Sequence, residues 1–391
     1  MSYNFDEIID RKGTRAVKIE RCSTLFGTVD LLPLWVADMD FRTPDFILDA
    51  IKKRLEHPIL GYTLPSPRLN ELFIQWVYDH HGWEIKRNQT GFVRGIVPAL
   101  SFAVQCFTQP GDEIILQSPV YYPFFNVIRN NGRVVLNNQL VEKEGRYEMD
   151  LDNFESLITD KTKMFILCSP HNPGGRVWPL ETLQKISIIC AARKILVISD
   201  EIHADMVLQG HKHIPFAMVS EEAAMNSLTL MAPSKVFNMP GVISSAWIIP
   251  NPEVRKIYHD YLEVSEMNSG NLFAYDATVA CYEHGDPWRI QMLEYIQGNI
   301  SYIVDFLKNN IPQIVPMVPE ASFLVWLDCS GLNMQDTDEL HRFFSHKAKL
   351  GLNKGTIFGP GGEHHVRINI ATPRAILEKA MQQLFEAVNA L

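Results

Sequence analysis

Short apolar runs, rich in β-branched residues and apolar on both faces, recur through the middle of the chain. They fall at 113–117 (EIILQ), 133–136 (RVVL), 163–168 (KMFILC), 195–199 (ILVIS), 227–231 (SLTLM) and 243–249 (ISSAWII). Strands covered by helices on both sides read this way, without the alternation of a half-solvated strand. Between the runs, apolar residues return at helical spacing over 68–81, 97–107, 122–131, 150–157 and 179–192. The alternation predicts an α/β fold with a mostly parallel central sheet flanked by helices. In such sheets ligands gather beyond the carboxyl ends of the strands.

The last third has another texture. A long helical stretch over 286–309, with Pro287 at its start, leads to a strand at 322–327 and a helix at 336–347. A strand at 365–370 and a helix at 373–389 complete a smaller α+β domain. The apolar N-terminal LLPLWVADMDF is expected to pack on that domain or on the cleft beside it.

Composition narrows the function classes. The chain has 391 residues, 46% apolar and 21% charged, as in an ordinary globular enzyme of one large and one smaller domain. Seven Trp, 21 Phe and 12 Tyr supply aromatic area for a core, an oligomer interface or a ring-binding pocket. The net charge of -9 and the absence of a basic stripe argue against nucleic acid as a partner. The six cysteines form no CxxC pair and lack zinc-finger His spacing, so no metal site is expected and buried free thiols are. That usage fits a reducing compartment, and the acidic start MSYNFDEIID has no apolar signal core. No apolar run is long enough to cross a bilayer, so a cytoplasmic protein is expected.

The candidate chemistry lies in polar loops after three successive strands. Asp200 ends ILVIS, in the run SDEIHAD with Glu201, His203 and Asp205. An acid at a buried strand end needs a partner, although a helix N-cap with acids in its first turn explains the same residues. Lys235 follows SLTLM in APSKVFNMPG, as a surface lysine or as an amine facing Asp200 across one flat ligand. Asn172 follows KMFILC between Pro170 and Pro173, which restrict its backbone, although a plain turn has the same composition. Gly95 opens a helix whose free amides suit a phosphate. Tyr121 follows EIILQ, to pack on a helix or to face a ring. Arg367 shares one face of its strand with Asn369, as a solvated arginine or as a fork for a carboxylate.

Together the runs LPLWVADMDF (32–41), GYT (61–63), GIVPAL (95–100), PVYYPF (119–124), SPHNPGGRVW (169–178), SDEIHADMV (199–207), APSKVFNMPG (232–241), HGDPW (284–288) and VRINIATPR (366–374) span the chain. The set resembles the fold-type I pyridoxal-phosphate enzymes. It is most similar to the cystathionine or cysteine-conjugate β-lyase branch of the aminotransferase class I/II superfamily. The resemblance implies pyridoxal 5'-phosphate held as a Schiff base on Lys235, with Asp200 on the pyridinium nitrogen, Asn172 on the ring oxygen and Tyr121 stacked on the ring. It implies a phosphate cradle from the backbone of Gly95, Ile96 and Val97 with the Ser234 hydroxyl, His203 near the ring, and Arg367 with the backbone at Ala37 for the substrate carboxylate. Leu34 and Trp35 are then candidates for the substrate side-chain pocket. Tyr62 resembles a tyrosine that reaches the partner's phosphate in a homodimer.

Two residues depart from the wider superfamily: Ile243 stands where an arginine often binds phosphate, and Ala232 where Ser or Thr is common. A third, Phe323, replaces a frequent tyrosine. By the same resemblance the large domain covers 46–280, and 1–45 joins 281–391 in the small one. The implied activity is α,β-elimination on L-cystathionine or cysteine S-conjugates, giving pyruvate, ammonia and a thiol. An aminotransferase, or a lyase with an added regulatory protein-binding role, is the alternative.

Overall fold

A computed structural model describes residues 2–391. Its large sheet has seven strands, β1 (Thr90–Val93), β2 (Glu113–Leu116), β3 (Val134–Asn137), β4 (Thr162–Cys168), β5 (Leu196–Asp200), β6 (Ser227–Met231) and β7 (Ser245–Ile248). They lie in the order β1-β7-β6-β5-β4-β2-β3. The run from β3 to β6 is parallel, and β7 is antiparallel to both of its neighbours. Every residue of β5 and β6 is buried, which is why both faces of these strands are apolar.

Register places the site. Cys168 pairs with Asp200, and Asp200 with Leu230, so β4, β5 and β6 end level with one another. The loops that follow carry Asn172, His203 and Lys235 to one rim. The strand order reverses between β2 and β4, the kind of crevice in which open α/β sheets bind ligands. Helix Ile96–Phe107 packs on β5 and β6 and starts at the same rim.

A second sheet of four antiparallel strands forms the smaller α+β unit: β8 (Val315–Met317), β9 (Leu324–Asp328), β10 (Asn353–Lys354) and β11 (His365–Asn369), ordered β8-β9-β11-β10. The predicted 336–347 helix is α-helical over Thr337–Arg342 and continues as a π-helix over Phe343–Lys347. The long helix runs Asp286–Asn310 and the last one Arg374–Asn389. The N-terminal segment joins this unit: Leu32–Pro33 pairs in parallel with Leu350–Gly351, and Phe5, Leu34, Met39 and Phe41 share one buried cluster with Phe323 and Ile368.

Candidate active site

Five loop segments and a helix start close around a cavity of about 290 Å³ lined by Ala37, Gly95, Ile96, Val97, Tyr121, Asn172, Asp200, His203, Ser234 and Lys235. A groove of about 1440 Å³ lies elsewhere, between residues 8–40 and the C-terminal helix, but its charges Lys18 and Asp40 are already paired at 2.8 Å. The smaller cavity is the one in which reactive groups converge without mutual satisfaction.

Asp200 is 4% exposed, and one carboxylate oxygen accepts the Ile202 amide at 3.1 Å. The acid therefore caps its own turn, not a long helix, since only the short 3₁₀ turn Ala204–Met206 follows. Burial pushes its carboxyl up to about 7. The neighbouring Glu201 points to the other side of the sheet, where it takes bonds from Ser199, His213 and the Phe216 amide. Asp205 accepts from Trp76 Nε1 and lies 3.0 Å from His81 Nε2, so neither acid belongs to the cavity. His203 is buried with Nδ1 unpartnered, and burial, with Lys235 nearby, lowers its ring to about 3.

Lys235 is half-buried and donates to the Ala37 carbonyl at 2.7 Å, so it is not a surface lysine. Burial first, and then the Arg367 charge, lower its amine to about 8. Arg367 lies inside the protein and not on a solvated face: it is 4% exposed, and burial brings its guanidinium down to about 10. Phe358 covers it with its ring centroid 4.9 Å away, and its amines reach Asn172 Oδ1 at 3.0 Å, Asn353 Oδ1 at 2.8 Å and the Trp35 carbonyl at 3.1 Å. Its Nε has no partner among the described residues. Asn172 thus spends its oxygen on Arg367, which fixes the amide and leaves its nitrogen toward the cavity. Burial raises the Tyr121 hydroxyl to about 12, keeping it neutral.

Gly95 has φ +89, a conformation that few side chains adopt, although a Cβ there would find room. That turn sends the helix off with the amides of Ile96 and Val97 unbonded at the rim, and Pro98 in the next place has no N–H to leave unpaired. Ile243 also lines the cavity, in a left-handed conformation with φ 57. Cys168, Ser244 and Ser245 line it as well and carry no sequence signal of their own. Of the other predicted residues, Arg367 stands behind Asn172 and, like Leu34 and Trp35, does not itself line the cavity, and neither does Tyr62. It stands fully exposed in a run, 55–68, in which every residue is exposed. The one group of possible metal ligands among the described residues, His259, Asp260 and Glu263, does not line the cavity. No helix among these residues is long and apolar enough to cross a membrane.

The family model described as aminotransferase class I and II matches residues 29–384. Cystathionine beta-lyase PatB of Bacillus subtilis is 42% identical over 387 residues, covering 99% of this chain and 100% of the relative. Cystalysin from Treponema denticola, whose crystal structure contains pyridoxal 5'-phosphate, superposes with a TM-score of 0.96 at 34% identity over the full length of both chains. The PLP-bound C-S lyase from Staphylococcus hominis gives 0.92 at 34% identity, covering 99% of this chain and 98% of that one. The chain therefore belongs to the aminotransferase class I and II family of fold-type I pyridoxal-phosphate enzymes, and within it is closely related to the carbon–sulfur β-lyases.

Proposed function

We propose that this chain is a pyridoxal 5'-phosphate-dependent carbon–sulfur lyase that cleaves L-cystathionine or cysteine S-conjugates into pyruvate, ammonia and a thiol. One observation carries the reading: a buried acid, a depressed amine and two free helix amides line a single cavity, each lacking the partner that a flat, anionic, nitrogen-bearing ring would bring. The cofactor fits these groups end to end. The amides of Ile96 and Val97, the Gly95 turn and the Ser234 hydroxyl would hold its phosphate. The Asn172 nitrogen would meet the ring oxygen, Asp200 the ring nitrogen, and Tyr121 one face, with His203 beside it.

When bound, the cofactor supplies an electron sink for charge left at the substrate's α-carbon. The protein supplies the rest. Asp200 as a carboxylate would hold a proton on the ring nitrogen by charge attraction in a desolvated place. Arg367, already aimed by Asn172 and Asn353, would take the substrate carboxylate with the hydrogens it has left, on Nε and Nη1, with the Ala37 backbone nearby. Lys235 Nζ, near pH 8 in its depressed state, would accept the α-proton as general base. Trp35 and Leu34 are not part of the cavity: the Trp35 indole donates to the Lys18 carbonyl at 3.0 Å, and Leu34 is buried in the core of the smaller unit.

With cystathionine as the only added amino acid, pyruvate and free thiol are expected in equal amounts without a 2-oxo acid. An obligatory 2-oxo acid acceptor would replace the reading with aminotransferase.

The proposal includes a homodimer in which the partner's Tyr62 completes the phosphate site. Its support is the wholly exposed Tyr62 with Ile59, Leu60 and Leu64 exposed around it, an apolar loop with no cover from its own chain. Tyr62→Phe is expected to weaken cofactor retention about ten- to hundredfold, the range of one hydrogen bond to a charged group. Equilibrium dialysis reads this, and a fully active monomer in light scattering would refute the dimer. The domain boundaries at 46 and 281 belong to the same proposal. So does a cytoplasmic location, supported by six cysteines that are all free thiols.

A further inference from the structure

The strap over residues 34–41 crosses the site with no helix of its own, yet five consecutive main-chain carbonyls in it accept side-chain donors. Trp35 accepts from Arg367 at 3.1 Å, Val36 and Asp38 both from Asn369 at 2.6 Å, Ala37 from Lys235 at 2.7 Å, and Met39 from Asn238 at 3.1 Å. Irregular backbone inside a protein has to be satisfied in some such way. Arg367 and Asn369 hold the strap from β11. Arg11 and Lys18 grip its Asp38 and Asp40 side chains, and the 232–241 loop holds its backbone through Lys235 and Asn238.

Asn238 makes the larger share of that hold. Its oxygen accepts the Met39 amide at 2.9 Å, its nitrogen also reaches the Phe41 carbonyl at 2.8 Å, and its own carbonyl takes the Thr43 hydroxyl at 3.0 Å. It stands three residues after Lys235 with φ 50, a left-handed turn that asparagine tolerates better than most residues.

We propose that Asn238 is a positioning residue: by tying the loop that carries the Lys235 amine to the strap that carries its acceptor, it sets both the protonation of that amine and the place of the Ala37 peptide beside Arg367. A carbonyl acceptor favours the ammonium form. The charged and titratable groups around Lys235 are Asp38 on the strap and Asp200 on β5, which favour the charge, and Arg367 on β11, which opposes it, with His203, Tyr121, Cys168 and Arg94 lining the same cavity. The Ala37 carbonyl is the one direct hydrogen-bond partner of the amine among the described residues. Freeing the strap removes that partner and moves the amine further toward its free base.

The inference rests on Lys235 being the working amine, and it does not depend on which reaction follows. Its test is competitive acetylation of Lys235 in the full-length, cofactor-free chain, followed across pH by peptide mass spectrometry, beside kcat and KM of the loaded enzyme. Asn238→Gly keeps the left-handed backbone while removing every side-chain bond. The labelling midpoint is expected to fall by about half to one pH unit, and kcat/KM by about tenfold. A folded Asn238→Gly variant with an unchanged midpoint overturns the proposal. If that variant does not fold, Thr43→Val loosens the same tie from the strap: a smaller fall supports the proposal and an unchanged midpoint sinks it. A shifted midpoint in a protein without lyase activity would leave this inference standing and reject the lyase.

Discussion

Replacing Lys235 with alanine is expected to lower turnover by at least about 10⁴-fold, because in the proposed lyase it would be both the covalent anchor and the proton acceptor. Among the described residues the side chain is the one lysine amine that lines the cavity, and the other nitrogen base there, His203, is lowered to about 3 and accepts a proton poorly. Cofactor content after gel filtration checks the anchor and pyruvate release checks the chemistry. Covalently retained cofactor in Lys235→Ala would mean that another lysine is the anchor. The pH dependence has a definite sign. Burial lowers the amine to about 8, so its free base grows as pH rises and levels off above that value. Capture of added pyridoxal phosphate by the cofactor-free enzyme is expected to quicken up to about pH 8 and then flatten. An ordinary exposed lysine would still be gaining near its usual value of 10.5.

The parts of the fold that were legible in the sequence are those where burial is two-sided and local. β4, β5 and β6 read as continuous apolar runs because helices cover both faces, and the polar residues that break each run mark the rim. Strand direction was not legible: β7 has the same apolar texture as its neighbours and runs the other way. β1 was missed because Gly91 interrupts it, and a Cβ there would lie 2.4 Å from the Trp247 ring on the paired strand. Helix Leu272–His284 escaped because it is buried on several sides and has no polar face to set a period. Helix Pro252–Val264 does carry a start signal in the sequence, a capping asparagine at Asn251 followed by Pro252.

The site divides in the same way. Lys235, Asp200 and Asn172 announce themselves through motif and position at strand ends. The groups that aim them do not, since Asn238 and Met39 are 199 residues apart in sequence and meet only through the fold. The charges that flank the strap are equally silent in one dimension. Arg11 reaches Asp38 at 2.6 Å, and Lys18, 1% exposed, reaches Asp40 at 2.8 Å, so the N-terminal helix region holds Met39 between two gripped acids. Arg367 could be assigned a face from its period-2 pattern, but its burial depends on Phe358 from a separate loop.

Asp200→Asn is expected to lower turnover by about 10²–10³-fold while making the cofactor-free protein more stable at alkaline pH. The two effects have one cause. In the folded chain burial pushes the carboxyl up to about 7 from its ordinary 3.8, because it disfavours the charge. Between about pH 4 and 7 the folded form therefore binds more protons than the unfolded one, and stability falls as pH climbs through that window. Above pH 7 the whole cost is present, on the order of a few kcal/mol. Asparagine has nearly the same shape and no charge to desolvate, so the variant escapes that cost. Its melting temperature should exceed the wild type at pH 8, and the gap should close toward pH 4. Adding pyridoxal phosphate should reverse the order, since in the proposed site the ring nitrogen would partner the carboxylate. Calorimetry at pH 4 and 8, with and without cofactor, reads all four corners. Unchanged turnover would remove Asp200 from the chemistry, and a lower melting temperature at pH 8 would show that its charge is already compensated within the empty cavity. A strand end that weakens the empty protein and strengthens the loaded one is the thermodynamic mark of a site built for its ligand.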